Sequence, residues 1–141
     1  MTSSDILLNQ LMTFESCQCN AYQDAGGVWT IGYGHTQGVR KGQHITTKQA
    51  KLLLQIDLTK YEGLVEALGV CKTQGQFDAL VDFAYNLGIG NLQRSTLLKY
   101  IKQGEPYEKI RAEFLKWNKC KGKVLNGLTK RRQWEAERFA Q

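Results

Sequence analysis

The spacing of apolar residues along the chain predicts helices over most of its length. In the first segment, from Asp5 to about Phe14, apolar residues recur at the interval of a helix, and Ser3 or Ser4 can cap its start. Glu15 therefore falls at or just past the C-terminal end of this predicted helix.

Two capping boxes mark the starts of two longer helices. Thr46 with Gln49 opens the longer of the two, and Thr73 with Gln76 opens the other. These two helices are predicted to end at Gly69 and Gly88, and a tight turn is predicted over 86–91. Two further helices are predicted over 96–103 and from 106 to about 117. A glycine-rich bend over 122–127 then precedes a last helix from Leu128.

Residues 20–45 have a different character, with many glycines and two short β-favouring runs, 28–31 and 43–45. The turn residues at 24–27 separate one of these runs from Tyr22, which predicts a small antiparallel sheet. The sequence thus predicts a mostly helical α+β fold that forms a single domain over 1–141. Its parts would be a sheet-containing N-terminal lobe (about 15–58), a long connecting helix, and an all-helical C-terminal lobe (about 69–141 plus a first helix over about 4–14). A cleft between two such lobes is a common place for a ligand site.

The charge balance adds a basic C-terminal face to this picture. The net charge of the 141 residues is +6, and residues 109–138 carry ten Lys and Arg against three Glu. Such a face attracts a polyanion, which could be a nucleic acid, an acidic membrane surface or an anionic cell-wall polymer, unless it is simply a solvated helical face.

The start of the chain has no basic segment followed by an apolar one, and no stretch approaches the roughly 20 apolar residues of a membrane span. We therefore expect the protein to begin in the cytoplasm, without stable membrane insertion. The four cysteines lack zinc spacing, so we expect reduced thiols, no metal site and no cofactor.

Three polar residues in the opening segment are candidates for chemistry: Glu15 at a helix end, Asp24 on the turn, and Thr30 on the strand that follows it. If the turn folds over the helix end, two carboxyl groups would face each other, as glycoside hydrolysis requires. Helix-terminal carbonyls and burial would keep Glu15 protonated as a general acid. Asp24 could equally do no more than stabilise its own turn.

The order and spacing of these residues also resemble a known family, the phage-type lysozymes of glycoside hydrolase family 24. The resemblance covers about residues 6–139. It rests on Glu15, Asp24 and Thr30 at their spacing, on Ile31-Gly-Tyr-Gly-His-Thr36, on Gly42-Gln43-x-Ile45-Thr46 before a helix carrying Asp57-Leu58, on Gln76-Phe-Asp-Ala-Leu80, on Phe83-Ala-Tyr-Asn-Leu-Gly88-x-Gly90-Asn91, on Ser95-Thr-Leu-Leu98, and on Trp117 and Gly127-Leu128-x-x-Arg131-Arg132-x-x-Glu135.

The resemblance implies a lysozyme-like fold and an endolysin that cuts the β-1,4 bond between N-acetylmuramic acid and N-acetylglucosamine in bacterial peptidoglycan. Glu15 would be the general acid, Asp24 and Thr30 would place and activate a water, and the anomeric carbon would be inverted. His35 would pair structurally with Asp57. The substrate-binding residues it implies are Gly34, His35, Tyr85, Asn86 and Ser95.

The resemblance also implies a protein that stays in the host cytoplasm until a holin-type membrane lesion gives it access to the wall, where it would act as a monomer and lyse the cell. From the residues themselves, we expect Arg131 and Arg132 to form a structural network with Glu135 rather than to contact the wall polymer.

Two other function classes stay open at this point. A lytic transglycosylase would need the glutamate but would have no use for a pair of residues that places water, so Asp24 and Thr30 argue against it. A non-catalytic module could bind wall polymer or nucleic acid through the basic face. The chain shows no basic motif interleaved with aromatic residues, and we therefore expect no nucleic-acid partner.

Overall fold

A computed structural model describes all 141 residues and confirms the mostly helical α+β fold class. The elements in chain order are α1 (Asp5–Phe14), β1 (Gln18–Gln23), β2 (Trp29–Gly32), α2 (Thr47–Leu68), α3 (Gln74–Leu87), α4 (Ile89–Arg94), α5 (Thr96–Gln103), α6 (Tyr107–Leu115), β3 (Lys119–Cys120), β4 (Lys123–Val124) and α7 (Asn126–Phe139). None of the helices combines the length and the apolar character that crossing a bilayer requires.

Side-chain caps fix the starts of α2 and α3. At α2 the full capping box forms, because Thr46 Oγ1 accepts from the Gln49 backbone N–H at 3.1 Å and Gln49 Oε1 accepts from the Thr46 N–H at 2.8 Å. At α3 only half of the predicted box forms. Thr73 Oγ1 accepts from the Gln76 N–H at 3.1 Å, but Gln76 Oε1 accepts from the N–H of Lys72 instead.

Two segments differ from the sequence prediction. The tight turn predicted over 86–91 is a break at Gly88, whose φ of 95° favours glycine, followed by the short helix α4. The bend predicted over 122–127 overlaps the β3–β4 hairpin, which begins at Lys119, and α7 begins at Asn126 rather than at Leu128. Both elements are too short to show a hydrophobic period, which is why the pattern missed them.

The buried apolar residues form two cores of unequal size. The larger comprises 19 residues from the helices, and α3 lies at its centre with Phe77, Leu80 and Phe83 fully buried. The smaller comprises Ile31, Ile45 and Ala50 beneath the β1–β2 sheet. Helix α2 contributes to both cores, since Ala50 belongs to the small one and Leu54, Leu58 and Val65 belong to the large one. It is therefore the element that connects the sheet region to the helical region.

The β1–β2 hairpin is short and antiparallel. Tyr22 pairs with Thr30 and Gln23 pairs with Trp29, and the register is irregular between Gln18 and Tyr22. The hairpin follows directly after α1, so it stands beside the C-terminal end of that helix.

Candidate active site

Glu15 forms the C-cap of α1, at the point where the chain leaves the helix for the hairpin. Its backbone N–H still donates to Leu11 O at 2.8 Å, while its φ of −97° and ψ of 119° are extended. The side chain is 30% exposed, so the carboxyl group is partly desolvated and still open to a ligand.

Two cavities meet at Glu15. One has a volume of about 460 Å³ and the other about 480 Å³, and Glu15 and Gly34 line both of them. The first is otherwise lined by Tyr33, His35, Thr36, Gln37, Ile56, Asp57, Lys60, Tyr61, Tyr85 and Asn86, and the second by Phe14, Ser16, Gln18 and Tyr22. An extended ligand could therefore lie along both cavities and pass the carboxyl group of Glu15.

A buried arginine holds the Glu15 carboxylate from behind. Arg131 Nη1 donates to Glu15 Oε1 at 2.8 Å, while Arg131 Nε and Nη2 donate to the two carboxylate oxygens of Asp82, each at 2.9 Å. Arg131 is 5% exposed and Asp82 is fully buried, and the guanidinium also lies 4.9 Å from the centre of the Phe14 ring. Burial alone would lower the pKa of Arg131, but the carboxylates of Asp82 and Glu15 outweigh it and raise that pKa above its ordinary value.

This contact changes the electrostatic picture drawn from the sequence. We expected helix-terminal carbonyls and burial around Glu15, and the structure adds the Arg131 guanidinium, whose Nη1 lies 2.8 Å from Glu15 Oε1.

The other two candidate residues lie on the hairpin. Asp24 is exposed at the end of β1, and its Oδ1 accepts from the backbone N–H groups of Gly26 and Val28, both at 2.9 Å. No hydrogen bond from the protein reaches its Oδ2. Thr30 is buried, and its hydroxyl donates to Val28 O at 3.0 Å.

Neither Asp24 nor Thr30 lines the two cavities, whereas Tyr22 lines the second one. Thr30 is the cross-strand partner of Tyr22, so these two side chains lie on the same face of the hairpin. Asp24 directly follows β1, two residues beyond Tyr22, and belongs to the turn.

The wall of the first cavity includes the predicted pair of His35 and Asp57. His35 Nδ1 lies 2.8 and 3.0 Å from the two Asp57 oxygens, and Nε2 lies 2.9 Å from Gln37 O. The pair fixes the segment after β2 to α2.

Tyr85 and Asn86 extend this wall from α3. The Tyr85 hydroxyl donates to Tyr33 O at 2.9 Å, and burial, followed by the nearby carboxylates of Glu15 and Asp57, raises the pKa of Tyr85. Asn86 Oδ1 accepts from Arg132 Nη2 at 2.8 Å, which leaves its amide nitrogen without a protein partner. Gly34 has a φ of 90°, a conformation that favours glycine, so its position in the wall depends on its backbone.

Ser95 has a different place in the fold from the other residues predicted to bind substrate. It is the N-cap of α5, where its hydroxyl donates to Leu92 O at 2.7 Å and accepts from the Leu98 N–H at 3.0 Å. It is 8% exposed and lines neither of the two cavities. These contacts describe a helix cap.

Sequence reasoning missed the roles of Arg131 and Asp82 behind Glu15. The expected ion pair of Arg132 with Glu135 is present, but Arg131 instead pairs with Asp82 of α3 and with Glu15 at the end of α1. One signal was available, because Asp82, like Asp78, is an acid on a helix whose buried residues are otherwise apolar or glycine. Nothing in the spacing indicated which cation it would meet.

No disulfide joins the four cysteines, and Cys120 is exposed on the β3–β4 hairpin. No group of three or more His, Cys, Asp or Glu side chains is arranged to hold a metal ion.

Comparisons with known proteins agree with this description. The family model for phage lysozyme matches residues 12–135. An endolysin of Bacillus phage B103 is 44% identical over 99% of this chain and 54% of its own length, and an endolysin of Acyrthosiphon pisum secondary endosymbiont phage 1 is 40% identical over 89% of each chain. The chain spans about half the length of the curated Bacillus phage relatives that it matches.

A solved structure shows the same fold. The endolysin from Escherichia coli O157:H7 phage FAHEc1 superposes with a TM-score of 0.87 at 37% identity, over 99% of this chain and 93% of that one.

Proposed function

The chain belongs to the phage lysozyme family, and from that premise we propose that it is a muramidase that hydrolyses the β-1,4 bond between N-acetylmuramic acid and N-acetylglucosamine in bacterial peptidoglycan. One observation supports this proposal: the Glu15 carboxyl group lines two adjoining cavities and contacts the buried Arg131, and the β1–β2 hairpin that carries Asp24 and Thr30 follows soon after Glu15 in the chain.

Glu15 acts as the general acid. It transfers its proton to the glycosidic oxygen as the bond to the anomeric carbon breaks, and the leaving sugar departs as an alcohol. The glutamate becomes a carboxylate in this step, at the place where Arg131 already supplies a positive charge. A cation fixed beside a developing negative charge stabilises the transition state, because no reorganisation is needed at that moment.

Asp24 and Thr30 place the attacking water. Asp24 Oδ2 has no protein hydrogen bond, and the Thr30 hydroxyl donates its proton to Val28 O, so each of these oxygens has the capacity to accept a hydrogen bond from water. Asp24 takes the proton as that water attacks the sugar from the face opposite Glu15. The product then has the inverted configuration at the anomeric carbon.

The wall of the first cavity binds the polysaccharide. The Asn86 amide nitrogen donates to a sugar oxygen or acetamido carbonyl, and Gly34 lets the backbone approach the sugar ring. The contact between His35 and Asp57 keeps this wall in place. Ser95 has no part in this binding, since its hydroxyl is committed to capping α5.

In the cell, this activity would make the protein an endolysin that lyses the bacterial host. It would remain in the host cytoplasm as a monomer until a holin-type membrane lesion admits it to the wall. The basic face would add non-specific attraction to the negatively charged wall.

The test is to digest purified peptidoglycan, reduce the new ends with borohydride and identify the terminal sugar by mass spectrometry. A muramidase yields muramitol-type ends with one water added. Glucosaminitol ends would contradict the proposed bond, and anhydro-muramic ends would indicate a lytic transglycosylase. If the chain retained DNA at moderate salt and released no fragments from the wall, the nucleic-acid alternative would replace the proposal.

A further inference from the structure

Two side chains of α2 in the wall of the first cavity have no part in the reaction proposed above. Ile56 and Lys60 line this cavity together with Glu15. Glu15 is held by the buried cluster of Arg131 and Asp82, whereas both α2 side chains are exposed. Because Ile56 and Lys60 are four residues apart on one helix, they are neighbours on the same face. They therefore form a small mixed surface, one half aliphatic and one half cationic.

The aliphatic half is unusually open to water. Ile56 is 64% exposed, the largest exposed fraction among the large apolar side chains of the chain. A lone exposed isoleucine on a flat surface would need no explanation, but this one lies in the wall of a concave site. An apolar group of a ligand that covered Ile56 would remove aliphatic surface from water, which favours binding.

The cationic half has no ionic partner. Among the other charged groups of this cavity, Glu15 contacts Arg131, and His35 contacts Asp57. The Lys60 ammonium contacts no carboxylate. The first cavity thus offers one unmatched positive charge to a ligand.

An aromatic ring lies beside this charge. The Lys60 Nζ atom is 5.6 Å from the centre of the Tyr61 ring, and Tyr61 lines the same cavity. The ring attracts the ammonium electrostatically and favours a position at the cavity wall. Sugar hydroxyls alone supply neither an anion for Lys60 nor an apolar group for Ile56.

Peptidoglycan carries both partners in a single substituent. N-acetylmuramic acid bears a lactyl group, to which a stem peptide is attached that begins with L-alanine and continues with D-glutamate. The lactyl and alanyl methyl groups are apolar. The glutamate is linked onward through its side chain, so its α-carboxyl group is either free or amidated, depending on the wall. N-acetylglucosamine has no such substituent.

We propose that Ile56 and Lys60 form a subsite for the stem peptide, in which Ile56 packs against the lactyl and alanyl methyl groups and Lys60 pairs with the α-carboxylate of the second stem residue. This inference rests on the proposed function and deepens it. The spacing agrees, because four residues of helix rise about 6 Å and two residues of extended peptide span about 7 Å. The subsite distinguishes walls with free stem carboxylates from amidated walls.

Helix α2 provides a matched control for each residue. Leu52 lies one turn before Ile56, is 52% exposed and does not line the cavity. Lys51 is an exposed lysine of the same helix that also lies outside the cavity. Substitutions at these positions reproduce the change in surface or in net charge without altering the subsite.

The kinetic test compares kcat/KM on three substrates: walls with free stem carboxylates, amidated walls, and glycan strands from which an N-acetylmuramoyl-L-alanine amidase has removed the stems. Ile56→Ser should lower kcat/KM about fivefold on both stem-bearing walls, because it removes apolar contact area. Lys60→Gln should lower it about threefold on walls with free carboxylates and leave amidated walls unaffected, since the ion pair is exposed. Both variants should equal the parent on stripped strands.

Three results would overturn the proposal. The first is a parent protein that cleaves stripped strands as readily as stem-bearing walls. The second is an equal loss of kcat/KM on stripped and stem-bearing substrates in the Ile56 and Lys60 variants. The third is a loss of the same size in Leu52→Ser and Lys51→Gln, which should retain parental kcat/KM on all three substrates.

A binding measurement separates this subsite from the proposed hydrolysis. The probe is N-acetylmuramoyl-L-alanyl-D-glutamate, which contains no glycosidic bond, and it is compared with its isoglutamine form. In the parent protein, the backbone amide NMR signals of Ile56 and Lys60 should shift saturably, and the isoglutamine form should bind about threefold more weakly. Unshifted signals would overturn the subsite even if the chain hydrolyses peptidoglycan. The expected shifts in a protein that released no muramitol ends would support the subsite while contradicting the proposed function.

Discussion

The two sides of the proposed reaction are held in very different ways. Glu15 is fixed by Arg131, which lies 116 positions away in the sequence and is itself held by the fully buried Asp82. Asp24, on the other side, is exposed and is held only by the N–H groups of Gly26 and Val28 in its own turn. The general acid thus depends on the assembly of the helical core, while the residue that places water depends on a local turn.

This difference has consequences for stability and for adaptation to substrate. Loss of a contact in the buried cluster leaves an unpaired charge without water, whereas loss of the Asp24 turn contacts leaves backbone groups that water can satisfy. The hairpin can therefore adjust to a sugar chain without disturbing the position of Glu15.

Substitution of Asp82 by Ala should have the largest effect on stability. It leaves Arg131 buried with only Glu15 as an ionic partner, and breaking a buried pair in this way costs about 3 to 5 kcal/mol. Chemical denaturation should show this loss, while Asp24→Ala should cost less than about 1 kcal/mol because its contacts are exposed. If both variants lost the same free energy of unfolding, the surroundings of Glu15 and of Asp24 would not differ in their contribution to stability.

The second-largest effect should be the loss of wall hydrolysis in Asp24→Asn, which tests whether the exposed Asp24 is needed for activity. The amide cannot take the proton of the attacking water, so wall hydrolysis should fall about 10²-fold, in the range of general-base contributions. The unfolding midpoint should stay close to that of the parent. Wall hydrolysis at the parental rate would mean that Asp24 only stabilises its turn.

The free energy of unfolding should depend on pH through Glu135, which lies on the buried side behind Glu15, and we expect this effect to be smaller than the two above. A folded-state pKa of Glu135 above its ordinary value of 4.5 means that the folded protein holds a proton which the unfolded chain releases. This contribution is fully present below about pH 4.5 and is lost as the pH rises through the folded-state pKa. In Glu135→Gln, stability should therefore decline less between pH 5 and 8 than in the parent.

Denaturation midpoints across that pH range provide the measurement. Glu137→Gln is a matched control, because Glu137 is an exposed glutamate two residues further along α7. If both variants followed the same pH dependence as the parent, Glu135 would not be the group that holds the buried proton.

The smallest expected effect concerns the charge presented to the wall. Lys121 and Lys123 on the β3–β4 hairpin are exposed and have no carboxylate within ion-pair distance. Replacement of both by Gln should slow lysis severalfold at low salt, and the difference should disappear as the ionic strength rises. The control replaces Lys48 and Lys51 of α2, and an identical loss there would attribute the effect to net charge rather than to the hairpin.

The contrast between the two sides also explains what the sequence could predict. The end of α1 at Glu15 and the turn at Asp24 follow from local patterns, namely a helical period and a cluster of turn residues. The capping boxes likewise located the starts of α2 and α3, although Gln76 bonds to Lys72 rather than completing its box.

The buried cluster could not be predicted in the same way. Arg131 follows Lys130 and precedes Arg132 in a basic segment, and nothing local distinguishes the buried arginines from the exposed lysine. Which carboxylate each arginine meets is decided by how α7 packs against α3. The short elements α4 and β3–β4 were missed for a different reason, because they are too short to carry a period.

The most direct test of the account is the wall-lytic activity of Glu15→Gln, measured beside its unfolding midpoint. Glutamine keeps the shape of the side chain and can still accept a hydrogen bond from Arg131, but it cannot give a proton to the glycosidic oxygen. The account predicts a folded protein whose activity is at least about 10³-fold lower than that of the parent. A folded Glu15→Gln variant that lyses walls at the parental rate would contradict it.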